Sequence, residues 1–284
     1  MLSIHDHQTE VTAGNRFQFG ANWARFLTVL TDERIKIATE SLKAMLDVET
    51  LTGKSFLDIG SGSGLFSLAA RRLGAKVFSF DYDPQSVACT RELKRRFYEN
   101  DPDWEIQEGS ALDSAYLEKL GEFDIVYSWG VLHHTGDMWS ALKNVDGNVT
   151  DNGTLFLSLY NDQGGASKRW SVIKKIYCGL PQALQVPFAV FVYFPLEIRS
   201  FVAHLARGVP LNYFRRIIHY RQTRGMSWRH DKIDWIGGYP FEVSKPEQVF
   251  YFYNERGYEL QRLKTCGGGL GCNEYVFRRD RKRV

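Results

Sequence analysis

The sequence predicts an α/β chain on a doubly wound, mostly parallel seven-stranded sheet, with a C-terminal β-hairpin and a basic, largely helical insertion after the fifth strand. Three observations carry that expectation. Short apolar runs alternate with amphipathic stretches from Lys54 to Tyr160, the spacing of parallel strands joined by right-handed helical crossovers. The rhythm then breaks over 163–241, where Lys, Arg and aromatic residues crowd together. It resumes with a helix and two strands around a glycine turn, which reads as a hairpin with one strand antiparallel to the main sheet.

The elements follow in order. DERIKIATESLKAML (32–46) places Ile35, Ala38, Leu42 and Leu46 at helical spacing. SFLDI (55–59) is a short apolar strand and Gly64 to Leu73 a helix. KVFSF (76–80) is the second strand, followed by a helix from Pro84 to Tyr98 opened by its proline. WEIQ (104–107) is a weak third strand, Ala111 to Leu120 a helix and FDIVYSW (123–129) the fourth strand. A helix from Asp137 to Val149 leads to the fifth, GTLFLSLY (153–160). Pro181, Pro187, Pro195 and Pro210 are expected to cut the insertion into short helices. A helix from Pro246 to Arg256, the strand YELQRLKT (258–265), the turn CGGGLGC and the strand NEYVFRR (273–279) complete the pattern. The chain thus divides into an N-terminal helical cap (1–48), a core (49–162), the insertion (163–241) and a C-terminal helix and hairpin (242–284).

Composition excludes several classes. With 284 residues, 14% of them aromatic, and a net charge of only +3, the chain buries a core and is not disordered. No apolar run is expected to reach the ~18 residues of a transmembrane helix, VPFAVFVYFPL (186–196) being too short. The start, MLSIHDHQTEVTAGNR, lacks the apolar centre of a signal peptide. Cys89, Cys178, Cys266 and Cys272 are too scattered for a secreted disulfide framework, so a reducing cytoplasm is the expected location. No metal site is expected: Cys266 and Cys272 lack zinc-finger spacing, and His5 and His7 read as a solvated terminus. Charge is uneven, since residues 165–230 hold eleven bases against one acid, Glu197, leaving the remainder net acidic.

The most informative segment is FLDIGSGSGLFSLAA (56–70). Gly60, Gly62 and Gly64 between a strand and a helix let the backbone turn sharply beside a helix N-terminus. The spacing is G-x-G-x-G, not the dinucleotide G-x-G-x-x-G, which disfavours a nicotinamide dehydrogenase. Asp58 stands two residues before the first glycine, and Asp81 ends the next strand, where a carboxylate can accept both hydroxyls of a ribose. Either acid also reads as an ordinary cap of a strand–helix turn.

With LDIGSGSG (57–64), FDYDP (80–84), EGSALD (108–113), FDIVYSWGVLHH (123–134) and NGTLFL (152–157) in order, the chain resembles the class I S-adenosylmethionine-dependent methyltransferases. It is most similar in look to small-molecule members that methylate polyprenyl-phenol quinone precursors. The resemblance implies a Rossmann-like methyltransferase fold, S-adenosylmethionine as cofactor and S-adenosylhomocysteine as product. It implies that Asp58 faces the methionine ammonium, that Gly60, Gly62 and Gly64 leave space for the methionine and ribose portions, and that Asp81, with Tyr82 beside it, holds the ribose. Ala111 and Leu112 would flank the adenine, Asp113 would accept from its amine or simply cap a helix, and Trp129 would line the methyl-donor channel. Asn22 and Trp23 would lie over the cofactor from the other side.

Methyl transfer needs alignment and, for a phenol, removal of a proton near neutral pH. His133 and His134, followed by Asp137, are the base candidates after the fourth strand, and Tyr160 stands with Asn161 and Asp162 at the carboxyl edge of the fifth. The other reading is that one histidine packs under the sheet and its neighbour caps a turn. A small-molecule acceptor is expected, with O-methylation ahead of nitrogen or carbon; a scaffold that binds cofactor without catalysis is the alternative. The insertion fits four roles: a lid over an anionic substrate, a peripheral membrane surface serving a lipid-linked acceptor, an RNA surface, or an oligomer interface. Asp234, Trp235 and Tyr239 read either as closing over the acceptor or as a packed linker, and three consecutive glycines in CGGGLGC suggest close approach by another backbone or a ligand.

Overall fold

A computed structural model describes residues 7–218 and 228–280. His5, Arg221 and Arg224 lie outside them, as do the side chains of Arg229 and Asp234. The chain forms two compact units, Phe19–Lys168 with Phe241–Val284, and Met1–Gln18 with Arg169–Pro240. The N-terminal segment, expected to be one cap over 1–48, therefore divides after Gln18.

In the larger unit, α2 (Gly20–Leu27) and α3 (Asp32–Leu46) precede β1 (Ser55–Ile59), α4 (Leu65–Arg72), β2 (Lys76–Asp81), α5 (Pro84–Tyr98) and β3 (Trp104–Glu108). Then come α6 (Ser114–Leu120), β4 (Phe123–Trp129), a single 3₁₀ turn (Leu132–His134), α7 (Met138–Asp146) and β5 (Val149–Tyr160). The strand order is β3-β2-β1-β4-β5-β7-β6, with β6 (Tyr258–Lys264) and β7 (Cys272–Arg279) after α12 (Pro246–Asn254). The five strands β1 to β5 pair in parallel, while β7 runs antiparallel between β5 and β6. This is the expected doubly wound sheet with its hairpin.

Each sheet face buries its own cluster, and strand parity decides membership. Leu57, Ile59, Val126, Leu155 and Leu157 pack on one side with Leu142 and Val145 of α7. Phe56, Val77, Ile125, Tyr127 and Phe156 pack on the other with Ile35 and Leu42 of α3, Leu68 of α4 and Leu93 of α5. The weak third strand is well anchored, because Trp104 is fully buried.

Two element boundaries move for identifiable reasons. The helix expected from Ala111 begins at Ser114, since the Asp113 carboxylate accepts the Tyr116 N–H and caps it there. The helix expected to reach Val149 stops at Asp146, because Val149 already pairs with Phe123 of β4 and opens a twelve-residue β5.

The smaller unit holds α1 (His7–Thr12), most of α8 (Gly165–Gly179), α9 (Gln182–Ala206), α10 (Pro210–Ile218) and α11 (Trp228–Gly237). Its core joins Tyr177, Ala189, Tyr193 and Ile236. Lys174 is fully buried there, donating to the Trp235 carbonyl with its ammonium 4.4 Å from the Trp235 ring. Trp235 and Tyr239, whose carbonyl accepts the Phe17 N–H, are thus structural members of this unit. His7 is buried instead of solvated. The largest departure is α9: Pro187 and Pro195 sit inside one continuous 25-residue helix. Both are exposed, so the carbonyls they leave without an intrahelical donor meet solvent and the helix persists. This helix is long and apolar enough to cross a membrane, against the expectation of no such span.

Within the larger unit α2 is tied down through Asp83. One carboxylate oxygen caps α5 by accepting the Gln85 N–H (2.9 Å) and the other accepts the Gly20 N–H (2.7 Å). Asp83→Ala is expected to lower stability by about 1–3 kcal/mol in urea unfolding and to speed amide exchange in α2 more than in α3.

Candidate functional site

Chain order reverses between β1 and β4, and the carboxyl ends of strands flanking such a reversal are where doubly wound sheets bind ligands. Asp58 is the fourth residue of β1, on the face it shares with Phe56, in register with Ser79 of β2 and Tyr127 of β4. It is buried at 2% exposure, and among the described residues no cation pairs with it. Its support is a line of neutral donors. The Trp104 indole N–H, which can only donate, reaches the Ser79 hydroxyl at 3.0 Å. The Ser79 and Ser67 hydroxyls are 2.8 Å apart, and Ser67 donates its proton to Asp58. Ser79 must therefore donate to Ser67, and the line points at the carboxylate from end to end.

Asp81, at the end of β2, is held by two backbone amides. The Gly62 N–H reaches Oδ2 at 2.8 Å and the Asp83 N–H reaches Oδ1 at 2.9 Å. Burial raises the pKa of Asp58 to about 7, with Asp81 adding to the rise against the Ser67 hydrogen bond; burial likewise raises Asp81 to about 6 against the backbone amides of Asp83, Gly62 and Tyr82. The crevice thus concentrates two carboxylates whose ionised forms are paid for by neutral groups.

Gly60, Gly62 and Gly64 all have φ in the left-handed region, at 75°, 56° and 79°. The room left by their missing Cβ atoms is filled by protein: a Cβ at Gly60 would lie 2.3 Å from Val131, at Gly62 3.0 Å from the Trp23 ring, and at Gly64 3.0 Å from Thr90. The expected open space for a ligand is thus a packing requirement, with Trp23 lying against the loop. The other candidates sit at neighbouring strand ends. Tyr82 is partly exposed beside Asp81, Ala111 is buried, Leu112 is exposed, Asp113 is the α6 cap, and Trp129 is 45% exposed at the end of β4.

A second cluster lies at the ends of β4 and β5. The His133 ring stacks on Tyr160 (centroids 4.0 Å apart), with His134 4.5 Å from His133 and edge-on to Tyr160 at 5.4 Å. Phe19 stands 5.1 Å from His134 and Phe241 5.2 Å from Tyr160. His133 Nδ1 accepts the Tyr160 N–H (3.3 Å), so the neutral ring carries its proton on Nε2. Its carbonyl accepts the Glu242 N–H (2.9 Å), and Glu242 in turn accepts the Met138 N–H. Asp137 caps α7 through the Ser140 N–H.

Beyond this cluster Asn161 pairs with Ser244 in an isolated parallel bridge. The CGGGLGC turn closes on the same segment: the carbonyls of Gly269 and Gly268 accept the Asn161 and Gln163 side-chain amides, and Gly271 accepts the Asn161 N–H at 2.9 Å. A Cβ at Gly267 or Gly268 would meet nothing within 4 Å, so the triple glycine serves the left-handed φ of the turn (69° and 77°) and not the expected close approach. All four cysteines are free thiols.

A family model described as a methyltransferase domain matches residues 57–155, from the middle of β1 through most of β5. Over these residues the chain is similar to a methyltransferase domain. The chain is 33% identical over 111 residues to the ubiquinone biosynthesis O-methyltransferase of Xanthomonas campestris pv. campestris (strain B100), covering 39% of this chain and 45% of that one. It is 44% identical over 52 residues to the ribosomal protein L11 methyltransferase of Photobacterium profundum, 18% of each chain. The chain thus spans less than half the length of the curated relatives it matches. Among solved structures, magnesium protoporphyrin IX methyltransferase from Synechocystis with bound S-adenosylmethionine superposes with a TM-score of 0.54 at 13% identity, covering 99% of this chain and 100% of that one. That likeness shows a shared fold.

Within the matched residues, sequence reading missed Ser67, Ser79 and Trp104, whose link to Asp58 appears only once strand register is known. It also missed Phe19, Phe241 and Glu242, which reach the histidines from distant parts of the chain and carry no local signal. The buried acid has a measurable consequence. Between about pH 4 and 7 the folded chain holds a proton on Asp58 that the unfolded chain has released, so this group's contribution to stability falls as pH rises through that window. Asp58→Asn is expected to be more stable than the wild type at pH 8 by roughly 2–4 kcal/mol, the gain shrinking as pH is lowered toward 4. A gain in urea unfolding that ignores pH would contradict it.

Proposed function

We propose that the chain is an S-adenosylmethionine-dependent methyltransferase acting on a hydroxyl of a small-molecule acceptor. The observation that carries the reading is the carboxylate pair of Asp58 and Asp81, raised in pKa and met by neutral donors alone. Such a pair fits a ligand bearing an ammonium and a vicinal diol. The Asp81 carboxylate, with about four acceptor positions, keeps room for a ribose hydroxyl beside its backbone amide donors. The ubiquinone-biosynthesis relatives are O-methyltransferases by name, which supports oxygen as the accepting atom.

In this reading Asp58 stabilises the methionine ammonium from behind the loop of Gly60, Gly62 and Gly64. Asp81 holds the ribose with Tyr82 beside it. Ala111 and Leu112 face the adenine, Asp113 offers it the oxygen that does not cap α6, and Trp129 borders the donor channel. When bound, S-adenosylmethionine supplies a methyl group already activated on a sulfonium. The chain's own task is to align the acceptor, exclude water and take a proton. His134, bracketed by Phe19 and Tyr160, takes the acceptor hydroxyl proton on its imidazole. His133 positions Tyr160 by accepting its backbone N–H.

Calorimetry with S-adenosylhomocysteine tests the assignment. Asp81→Ala is expected to weaken binding roughly 10- to 100-fold, the loss of a hydrogen-bonded charged group. Wild-type affinity should be highest above about pH 7 and fall as Asp58 and Asp81 protonate on acidification. An unchanged dissociation constant for the variant, or affinity flat from pH 8 to 5, would remove the carboxylate pair from the site.

A further inference from the structure

The longest helix of the smaller unit has two unlike faces. Ala189 and Tyr193 are buried in that unit's core. On the same flank Glu197 pairs with Lys232 of α11 (2.6 Å) and accepts the Tyr213 hydroxyl of α10 (3.0 Å). The Lys232 ammonium also lies 4.2 Å from the Tyr193 ring. Opposite them, Leu184, Phe191, Phe194, Ile198, Val202 and Leu205 recur at intervals of three, four and seven residues, forming one helical stripe. The stripe is bare: Phe191 is 76% and Phe194 63% exposed, and none of the six is less than 47% exposed. Beside it, α10 repeats the pattern with Leu211, Phe214 and Ile218, all at least half exposed. Phe201 of α9 joins the two helices through ring contacts with Tyr213 and Phe214. This is far more contiguous apolar surface than a solvated helix pair carries without an occupant.

Charge identifies the occupant. Lys168, Arg169, Lys175, Arg199, Arg207 and Arg215 are exposed on α8 to α10 and the turns that follow them. Glu197, the one acid between 165 and 230, is already committed to Lys232. A second copy meeting it through the same face would bring matching positive charge with no free acid to answer it. An anionic bilayer answers both features, accepting the aromatic stripe below the headgroups and the cations among them.

Length and hydropathy would also let α9 span a bilayer. Its other flank argues against that, because a spanning α9 would draw the Glu197–Lys232 pair and the charged helix α11 into hydrocarbon. We infer that the α9–α10 hairpin docks in the plane of an anionic membrane surface, with the Phe191–Phe194 stripe facing the lipid. The inference goes beyond the catalytic reading and does not depend on it. It brings the chain to the surface where an amphipathic or lipid-linked acceptor resides.

Flotation of the full chain with phosphatidylcholine vesicles, and with vesicles of equal parts phosphatidylcholine and phosphatidylglycerol, tests the docking. Binding is expected to the anionic vesicles and to weaken with salt. Phe191→Asp with Phe194→Asp is expected to abolish it while S-adenosylhomocysteine calorimetry stays unchanged, which separates loss of docking from loss of the catalytic site. Should that variant misfold, reversing Arg199, Arg207 and Arg215 to Glu is expected to weaken binding by roughly 100-fold or more, at about fivefold per basic residue. Absence of vesicle binding, dimerisation that the two Asp substitutions abolish, or preference for RNA over vesicles at equal salt would each overturn the inference.

Discussion

A carboxylate taken out of water without a counter-ion is the constraint on which the rest of the structure turns. Asp58 occupies such a place because parity along β1 sends it to the side that also takes Phe56, between Ser79 and Tyr127. Neutral hydroxyls and an indole can lessen the cost of its ionisation but cannot cancel it. Around it the fold spends further conformational freedom, with three alternate loop glycines in left-handed geometry and amide donors aimed at Asp81. An arrangement that is expensive when empty becomes favourable when a cation enters, which is the pattern of a binding site and not of a fold stabiliser.

The same economy explains the packing around the loop. Val131, Trp23 and Thr90 fill the space that side chains at 60, 62 and 64 would claim. The loop is thereby fixed in shape from three directions, by β4, α2 and α5. Asp83 contributes to this without touching the crevice, since one carboxylate starts α5 and anchors α2 at once. Preorganisation of the loop is distributed over side chains that no local motif contains.

The sheet was largely readable in advance because parallel strands buried on both faces leave continuous apolar runs, as in SFLDI and FDIVYSW, and because helices fill the intervals. Asp58, Asp81 and the glycines announced themselves by position at strand ends. What escaped was information that exists only in three dimensions. Ser79 looks like any small residue in KVFSF until register sets it beside Asp58. Phe241 and Glu242 are more than a hundred residues from His133 and His134 in sequence, yet complete their surroundings. Proline was over-read: in α9 two prolines on the exposed side proved compatible with one uninterrupted helix, and the apolar length that sequence reading had divided became whole. The histidine pair was legible as a location, while which ring nitrogen of His133 carries the proton came from a single backbone amide.

The Asn161–Ser244 bridge has a consequence of its own. The chain departs just past the end of β5 and returns to the same spot, so the long excursion between these residues begins and ends at one isolated bridge. Nothing in the sheet's threading depends on what is carried there. Such an attachment behaves as a socket: one cassette of helices can be exchanged for another by recombination or by design, joined across a gap that a tight turn can close, while the sheet keeps its register.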